Sequence, residues 1–300
     1  MAGPSFPRTR RPAVSDPFQV RRAIAFAALA EGVLSLMDAL IKLQTARYPI
    51  FEITFLRFFF GALVAAVVFA LQKPEWPRPD TLKFHLARSV LSVGAATSFF
   101  YALSQLPIAE AMALSFVAPL FIAIFGVVLL KERFDSRIGL ALIIGIVGMF
   151  VIVSGQLGAR PYAAGAYKGA IAVVVSAIFY ALVMVMLRAR ANRDPLPTIV
   201  LIQNAAPALI LAVPAAMVWK TPTSNDLWMF LLIGCLGVGG HTLLANAFMR
   251  AEAARLAPIH YLVLVWGTAY GWLFFGDIPG LATLAGASLI VAGTWLTRRV

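Results

Sequence analysis

Ten long apolar segments dominate the sequence and constrain its fold more than any other feature. A helix that crosses the hydrocarbon core of a bilayer needs about 20 consecutive, predominantly apolar residues. Segments of about that length follow one another from residue 23 almost to the end of the 300-residue chain. They cover residues 23–43, 50–72, 82–103, 108–130, 138–154, 168–187, 198–218, 227–247, 257–275 and 281–297. The sequence therefore predicts an all-α polytopic membrane protein with ten transmembrane helices.

The composition supports this interpretation and argues against a soluble domain. Hydrophobic residues make up 61% of the chain and charged residues only 13%, whereas about a quarter of the residues of a soluble domain are charged. The single cysteine, Cys235, excludes an intramolecular disulfide and a cysteine-rich metal site. Because the sequence has no Gly-x-x-x-x-Gly-Lys phosphate-binding loop, we expect no direct use of ATP, and we expect no metal or other cofactor.

The basic residues indicate how the chain is oriented in the membrane. The net charge is +12, but Lys and Arg are concentrated in connectors and terminal segments on one side of a ten-helix chain. That side has 19 of the 25 basic residues and the other side has 5, while Arg57 lies within a span. Connectors rich in Lys and Arg stay in the cytoplasm. We therefore expect both termini on the cytoplasmic side of a bacterial-type inner membrane, and no nucleic-acid partner.

The same pattern predicts the domain organisation. Residues 1–22 contain five Arg and four Pro, which is typical of a disordered tail, here on the cytoplasmic side. The stretches outside the spans are too short for a soluble domain, so we expect the membrane domain to be the whole protein. The spans divide into two halves, 23–154 and 168–300, joined by a linker at 155–167.

The two halves align with each other at an offset of 145 residues. Tyr101–Phe116 then lies over Asn246–Tyr261, and Gly148 lies over Gly293 near the ends of the fifth and tenth spans. Five spans per half is an odd number, so the second half must enter the membrane from the opposite face. Inverted repeats of this kind recur in secondary transporters, which bind their substrates near the bilayer midplane between the repeats.

Three short motifs in the first half resemble a known family. They are Phe-Leu-Arg-Phe-Phe-Phe-Gly at 55–61, Phe-Val-Ala-Pro at 116–119 and Leu-Leu-Lys-Glu-Arg at 129–133. In this order and spacing they resemble EamA-type members of the drug/metabolite transporter superfamily, over essentially residues 23–297. The resemblance implies two inverted five-helix EamA repeats. Among subfamilies, the chain is most similar to the aromatic and neutral amino-acid exporters of the YddG type.

Polar residues within the spans are candidate site residues, because an ionisable side chain there costs at least about 2.5 kcal/mol. One face of the first helix has four of them, at spacings of 4, 3 and 4: Glu31, Ser35, Asp38 and Lys42. We expect this polar face to line a cavity or to face the bundle interior. Asp38 and Arg57 lie at similar depths, roughly 8–11 Å from the outer edge at about 1.5 Å per residue. They form either a gate or clamp for an amino-acid zwitterion or a static ion pair between the first two helices.

Glu31 lies nearer the midplane and has no basic neighbour in the sequence. A desolvated carboxylate is suited to carrying a proton or recognising a cation. Related small multidrug transporters have a glutamate with that role in their first helix. The alternative is a glutamate that is hydrogen-bonded to a neighbouring helix.

The later spans supply the other candidates. His241, His260 and Asn246 are expected to hydrogen-bond within a cavity or to serve only a structural purpose, and neither histidine has the ligand spacing of a metal site. As the resemblance to the exporters implies, three aromatic residues are expected to line the cavity, the alternative being contact with lipid: Tyr101, Tyr180 and Trp266. Three residues are candidate hinges or fixed bends: Pro119, Pro207 and Gly267.

Together these features predict a secondary transporter that works by alternating access and functions as a monomer. The expected activity is export of small metabolites, with aromatic or other large neutral amino acids as substrates. The alternative is import or exchange of another metabolite, such as a vitamin, a nucleotide-like cofactor or a cationic drug. A membrane enzyme acting on lipids would need a polar catalytic cluster at one interface, and the connectors are too short to hold one. We therefore expect no enzymatic activity.

Overall fold

The structure, a computed structural model, describes residues 17–74, 77–106, 111, 114–115, 117–132, 136–154, 166–276 and 281–296. Over these residues the chain forms helices joined by short turns, and it contains no β-strand. The first half contains α1 (Pro17–Thr45), α2 (Ile50–Gln72), α3 (Pro79–Gln105), α4 (Val117–Leu130) and α5 (Ser136–Ser154). The second half contains α6 (Ala166–Arg190), α7 (Leu196–Met217), α8 (Ser224–Phe248), α9 (Ala253–Leu256), a 3-10 helix (Ala257–Tyr261), α10 (Leu262–Phe275) and α11 (Leu281–Leu296).

Six of these helices, α1, α2, α3, α6, α7 and α8, are long and apolar enough to cross a membrane. Helix α4 and most of α5 are shorter but also apolar. Large apolar side chains on the outside of the bundle are widely exposed, with Leu71 and Leu209 at 77% and Met217 at 81%. Helices satisfy their own backbone hydrogen bonds, which lipid cannot do for them. The predicted fold class is therefore confirmed: the chain is an all-helical, multi-pass membrane protein.

Two helix boundaries differ from the sequence-based expectation. Helix α1 begins at Pro17, so residues 17–22 of the expected tail are helical. The expected ninth span starts as the 3-10 helix, which contains Pro258, and regular α-helix resumes only at Leu262. The rest of the tail, and the linker at 155–165, lie outside the described residues.

The main packing contacts join the two halves and come in matched pairs. Helix α1 packs on α8 as α6 packs on α3, and α2 packs on α8 as α7 packs on α3. Helix α1 also packs on α10 as α6 packs on α4, while α2 packs on α7 and α5 on α11. Exchanging the halves therefore reproduces the same set of contacts, as expected for two copies related by a pseudo-twofold axis. The centre of the bundle lies between the two copies.

Helices α2 and α8 pack closely at Gly61 and Gly234. A Cβ atom added to Gly234 would lie 2.7 Å from the backbone nitrogen of Gly61 and 2.8 Å from the carbonyl carbon of Phe60. Only a residue without a side chain allows the two backbones to meet at this distance. This contact holds α8 against the helix that contains Arg57.

Candidate functional site

A cavity of about 140 Å³ lies between the two halves and is lined by residues of both. Seven of the predicted site residues line it: Glu31, Ser35, Asp38, Arg57, Tyr180, His241 and His260. Three of the four residues on the polar face of α1 line the cavity, whereas Lys42 donates to the carbonyl oxygens of Leu103 and Leu106. The remaining lining is mainly apolar and aromatic, and it includes Phe58, Phe99, Phe100 and Met184.

Glu31 lies in the wall of this cavity, at 4% exposure, and has a basic partner that is remote in sequence. Its Oε1 is 3.0 Å from Nδ1 of His260, which belongs to the 3-10 helix before α10. The ring of Tyr180 is stacked on the His260 imidazole, with ring centroids 5.2 Å apart. One carboxylate, one imidazole and one phenol thus meet where α1, α6 and the 3-10 helix converge.

Asp38 and Arg57 both line the cavity, but they do not form the ion pair that the sequence suggested. Within the described part of the chain, Asp38 has no hydrogen bond or ion pair, although it lies close enough to influence Arg57 electrostatically. Arg57 is 3% exposed, and its Nη2 lies 3.0 Å from Nε2 of His241 on α8. Its guanidinium also lies over the ring of Phe58, 4.0 Å from the centroid. The arginine is directed at α8 rather than at the acidic face of α1.

Three predicted residues lie away from the lining of this cavity. Trp266 packs against Gly32 and donates from Nε1 to the carbonyl oxygen of Ala28, 3.2 Å away. Asn246 donates to the carbonyl oxygen of Thr242 and accepts from Arg250. Tyr101 is half-buried near the end of α3. The polar atoms of Trp266 and Asn246 are therefore already hydrogen-bonded within the helix bundle.

The hinge candidates lie within described helices. Pro119 is in the first turn of the described part of α4, and it is buried. Pro207 lies inside α7, which continues past it without a break, and Gly267 lies inside α10. Their role as hinges stays a prediction.

Arg88 is a functional candidate that sequence reasoning missed. It was counted with the basic residues of the connector before the third span, yet it lies ten residues into α3 and is 1% exposed. Its Nη2 donates to Oε1 of Gln203, 2.9 Å away on α7, and Gln203 lines the cavity. Taking Arg88 out of the connector lowers the basic count on that side from 19 to 18. Its depth within the helix was the one signal that could have identified it.

At each end of the helix bundle, several side chains hydrogen-bond to one aspartate. At one end, Asp226 at the start of α8 accepts from Tyr48 Oη at 2.7 Å and from Arg47 Nη1 at 2.8 Å. Burial and the hydrogen bond to Asp226 raise the pKa of Tyr48. At the other end, Asp194 before α7 accepts from Thr81 at 2.8 Å and lies 3.0 Å from His85. Each cluster joins the connector between the first two helices of one half to the third helix of the other half.

The described residues contain no group of three or more His, Cys, Asp or Glu side chains arranged to hold a metal ion. The polar residues of the cavity instead include an acidic wall on α1, formed by Glu31 and Asp38, and a basic region formed by Arg57 of α2 and His241 of α8. Arg88 of α3 adjoins this basic region without lining the cavity. An arrangement of this kind can bind a small molecule that has charges of both signs.

Comparison with known proteins identifies the family. The EamA-like transporter family matches the chain twice, over residues 21–154 and 167–299. The chain belongs to this family. It is a multi-pass membrane transporter of the drug/metabolite transporter superfamily, and it is not an enzyme. The narrower likeness to YddG-type exporters stays a prediction.

Several individual proteins are similar over most of their length. The pseudopaline exporter CntI of Pseudomonas aeruginosa is 28% identical over 277 residues, which cover 91% of this chain and 94% of the exporter. An S-adenosylmethionine uptake transporter of Rickettsia bellii is 28% identical over 260 residues, covering 86% of each chain. A solved crystal structure with 21% identity superposes with a TM-score of 0.74, covering 93% of this chain and 98% of the other, and has the same fold.

Proposed function

We propose that this protein is a secondary transporter that exports an amino-acid-type zwitterion with an apolar or aromatic side chain. The observation that supports this most directly is that Asp38 and Arg57 line one cavity without pairing with each other. A substrate with an ammonium and a carboxylate group can pair with both at once. We further propose that this occurs by alternating access of the two inverted repeats, 23–154 and 168–300, within one monomer.

The charged side chains of Asp38 and Arg57 lie in a low-dielectric interior. An ionised side chain within the membrane is costly unless an opposite charge or a polar group compensates it. Among the described residues, Nε and Nη1 of Arg57 are buried without a hydrogen-bond partner, and Asp38 has no hydrogen bond. A bound zwitterion would supply acceptors to Arg57 and donors to Asp38. The free energy of substrate binding would thus come largely from two charges that have no ion-pair partner among the described residues.

The size and lining of the cavity favour a small substrate. A volume of about 140 Å³ is below the roughly 300–1,000 Å³ of sites that hold drug-sized ligands. The apolar side chains Phe99, Phe100 and Met184 form much of its wall. An aromatic or large aliphatic amino acid suits both properties, whereas a nucleotide-like ligand would require the cavity to expand.

Direction, location and orientation are also proposed. Export is favoured by the similarity to the pseudopaline exporter, which covers more of both chains than the similarity to the uptake transporter. The excess of basic residues on one side supports a cytoplasmic location for both termini in a bacterial-type inner membrane. We also propose Glu31 as a proton carrier, because it is a buried carboxylate in the cavity wall beside the imidazole of His260.

A second candidate function is uptake or exchange of a nucleotide-like metabolite. It is supported by the similarity to the S-adenosylmethionine uptake transporters, which extends over 86% of the Rickettsia bellii protein. The same acidic wall would then bind a cationic group, and the cavity would have to open further than its present volume.

Counterflow in proteoliposomes tests these functions against each other. Purified protein would be assayed with labelled phenylalanine, leucine and S-adenosylmethionine, with protein-free liposomes as the background. We expect saturable counterflow of the amino acids. The double substitution Asp38→Asn and Arg57→Gln keeps a polar group at each position but removes both charges, so we expect it to lower the apparent affinity about tenfold or more. Absence of saturable amino-acid flux would contradict the proposal, and saturable flux of S-adenosylmethionine alone would support the second candidate.

A further inference from the structure

Three buried hydrogen-bond donors on residues that line the cavity, and one on Arg88 beside it, have no acceptor among the described residues. They are Nε and Nη1 of Arg57, Nη1 of Arg88 and Nδ1 of His241. A buried donor without an acceptor costs roughly 1–3 kcal/mol, and more when the group is charged. Native proteins rarely leave several such groups together, and where they do, a missing ligand is a physical explanation. The donors therefore indicate a ligand that contributes acceptors only.

The contact between Arg57 and His241 determines which imidazole nitrogen has the proton. A guanidinium group has donors and no acceptor. Because Nη2 of Arg57 lies 3.0 Å from Nε2 of His241, Nε2 must accept. The proton of the neutral imidazole is then on Nδ1, which is the buried nitrogen without a partner. His241 therefore has a free donor rather than a free acceptor.

The same reasoning determines the orientation of the Gln203 amide. Arg88 donates from Nη2 to Oε1 of Gln203 at 2.9 Å, and it has no acceptor with which to bind the amide nitrogen instead. The oxygen of the amide is therefore turned toward Arg88, and its NH₂ group is turned away from the guanidinium. Gln203 lines the cavity, whereas Arg88 does not. Arg88 thus orients a side chain that contacts the cavity, without lining the cavity itself.

The charges of this region agree with the donor pattern. Both guanidinium groups act electrostatically on the imidazole of His241, so the three side chains form one positive region. Among the described residues, neither Arg57 nor Arg88 has a carboxylate in an ion pair with it. The acidic groups of the cavity, Glu31 and Asp38, lie on α1.

We propose that the carboxylate group of the substrate binds in this region, with Arg57, His241 and Gln203 as its contacts and Arg88 as a positioning residue. A carboxylate has two oxygens with about four lone-pair positions and no donor, which matches a set of donors. Charge-assisted bonds to a guanidinium are also the stronger kind. The inference rests on the proposed function only for the identity of the substrate. The carboxylate site itself can be tested with simpler ligands.

The test compares ligands that differ only in the carboxylate. Binding of benzoate and of benzamide to the purified full-length protein in detergent would be measured by calorimetry or by ligand-induced thermal stabilisation. We expect the wild type to bind benzoate about tenfold more tightly than benzamide, or more. Arg88→Met leaves the Gln203 amide free to turn and should reduce this preference to threefold or less. In the Arg88→Lys protein, the lysine can still donate to Oε1 of Gln203. Most of the preference for benzoate should therefore remain.

A second variant addresses the site without removing the arginine. Gln203→Glu places a carboxylate beside Nη2 of Arg88 and should abolish the preference for benzoate through like-charge repulsion. Gln72→Glu makes the same chemical change at an exposed position near the end of α2 and should leave the preference unchanged. Unfolding midpoints without ligand would show whether each variant is folded.

The outcomes separate this inference from the proposed function. An equal affinity of the wild type for benzoate and benzamide would overturn the inference, as would an unchanged preference in folded Arg88→Met and Gln203→Glu proteins. Phenylalanine and its amide form a second ligand pair. If the benzoate preference behaves as expected but phenylalanine does not bind, the carboxylate site stands and the amino-acid substrate is wrong.

Discussion

Glu31 combines a carboxylate, burial and a place in the cavity wall, which are the properties that proton coupling requires. Among the described residues, the Glu31 carboxylate hydrogen-bonds to the imidazole of His260. Asp38 lies close enough to interact electrostatically with both Glu31 and His260. A proton bound at Glu31 would remove a negative charge from the acidic wall. Binding of a proton and binding of an ammonium group would then compete, which is the physical basis of exchange between a proton and a substrate.

We predict that Glu31→Gln abolishes the response of transport to a pH gradient. The substitution keeps the size and the hydrogen-bonding capacity of the side chain but removes its titration. Flux would be measured in proteoliposomes with and without a pH gradient, and counterflow without a gradient should stay within about threefold of the wild type. Glu52→Gln is the matched control, because Glu52 is also buried but lies on α2 outside the cavity lining and accepts from the backbone N–H of Lys220.

Two results would contradict a proton-carrying role for Glu31. One is a pH response that is unchanged in the Glu31→Gln protein. The other is a wild-type flux that does not depend on the gradient, which would make the protein a facilitator.

At the level of residues, seven of the sequence-based candidates line the cavity, but the sequence identified few of the contacts between them. The spacing of Glu31, Ser35 and Asp38 predicted one polar face, because helical periodicity is a local property. The contact between Glu31 and His260 joins residues 229 positions apart, and no local pattern encodes which helices meet. The same limit applies to Arg57: similar depth on the first two helices suggests Asp38 as its partner, whereas its hydrogen-bonding partner is His241 on α8.

At the level of helices, the contact of α2 with α8 depends on Gly234. We predict that Gly234→Ala lowers the free energy of unfolding by about 1–3 kcal/mol, because the added methyl group would overlap the backbone of α2. Gly239→Ala is the matched control on the same helix, since a Cβ there has no neighbouring atom within 4 Å. Replacing a helical glycine in open space should be neutral or stabilising by up to about 1 kcal/mol. Thermal unfolding in detergent measures both, and equal effects of the two substitutions would show that close packing at Gly234 is unimportant.

Helices were easier to predict than their ends. Apolar length alone located the long helices, because a chain in lipid has few other ways to satisfy its backbone. The 3-10 helix at Ala257–Tyr261 depends on packing and on Pro258, which a hydropathy pattern does not register.

At the level of the whole molecule, the pseudo-twofold relation explains why similar clusters occur at both ends of the bundle. Asp226 joins the α1–α2 connector to α8, and Asp194 joins the α6–α7 connector to α3. Because the two halves are inverted, equivalent connectors lie on opposite faces of the membrane. Each aspartate has a threonine and an arginine among its partners, which are Thr223 and Arg47 for Asp226 and Thr81 and Arg190 for Asp194. The clusters differ in the remaining partner, which is Tyr48 in one and His85 in the other.

The distribution of Lys and Arg predicts how the whole molecule is oriented in the membrane. Even without Arg88, the side with both termini has 18 basic residues against 5, an excess that the positive-inside rule assigns to the cytoplasm. In a Cys235→Ala background, we predict that Thr221→Cys, in the exposed connector between α7 and α8, reacts with a membrane-impermeant thiol reagent in intact cells. Ser5→Cys should react only after the cells are permeabilised. The reverse pattern of labelling would place the termini outside and, with them, the Asp194 cluster.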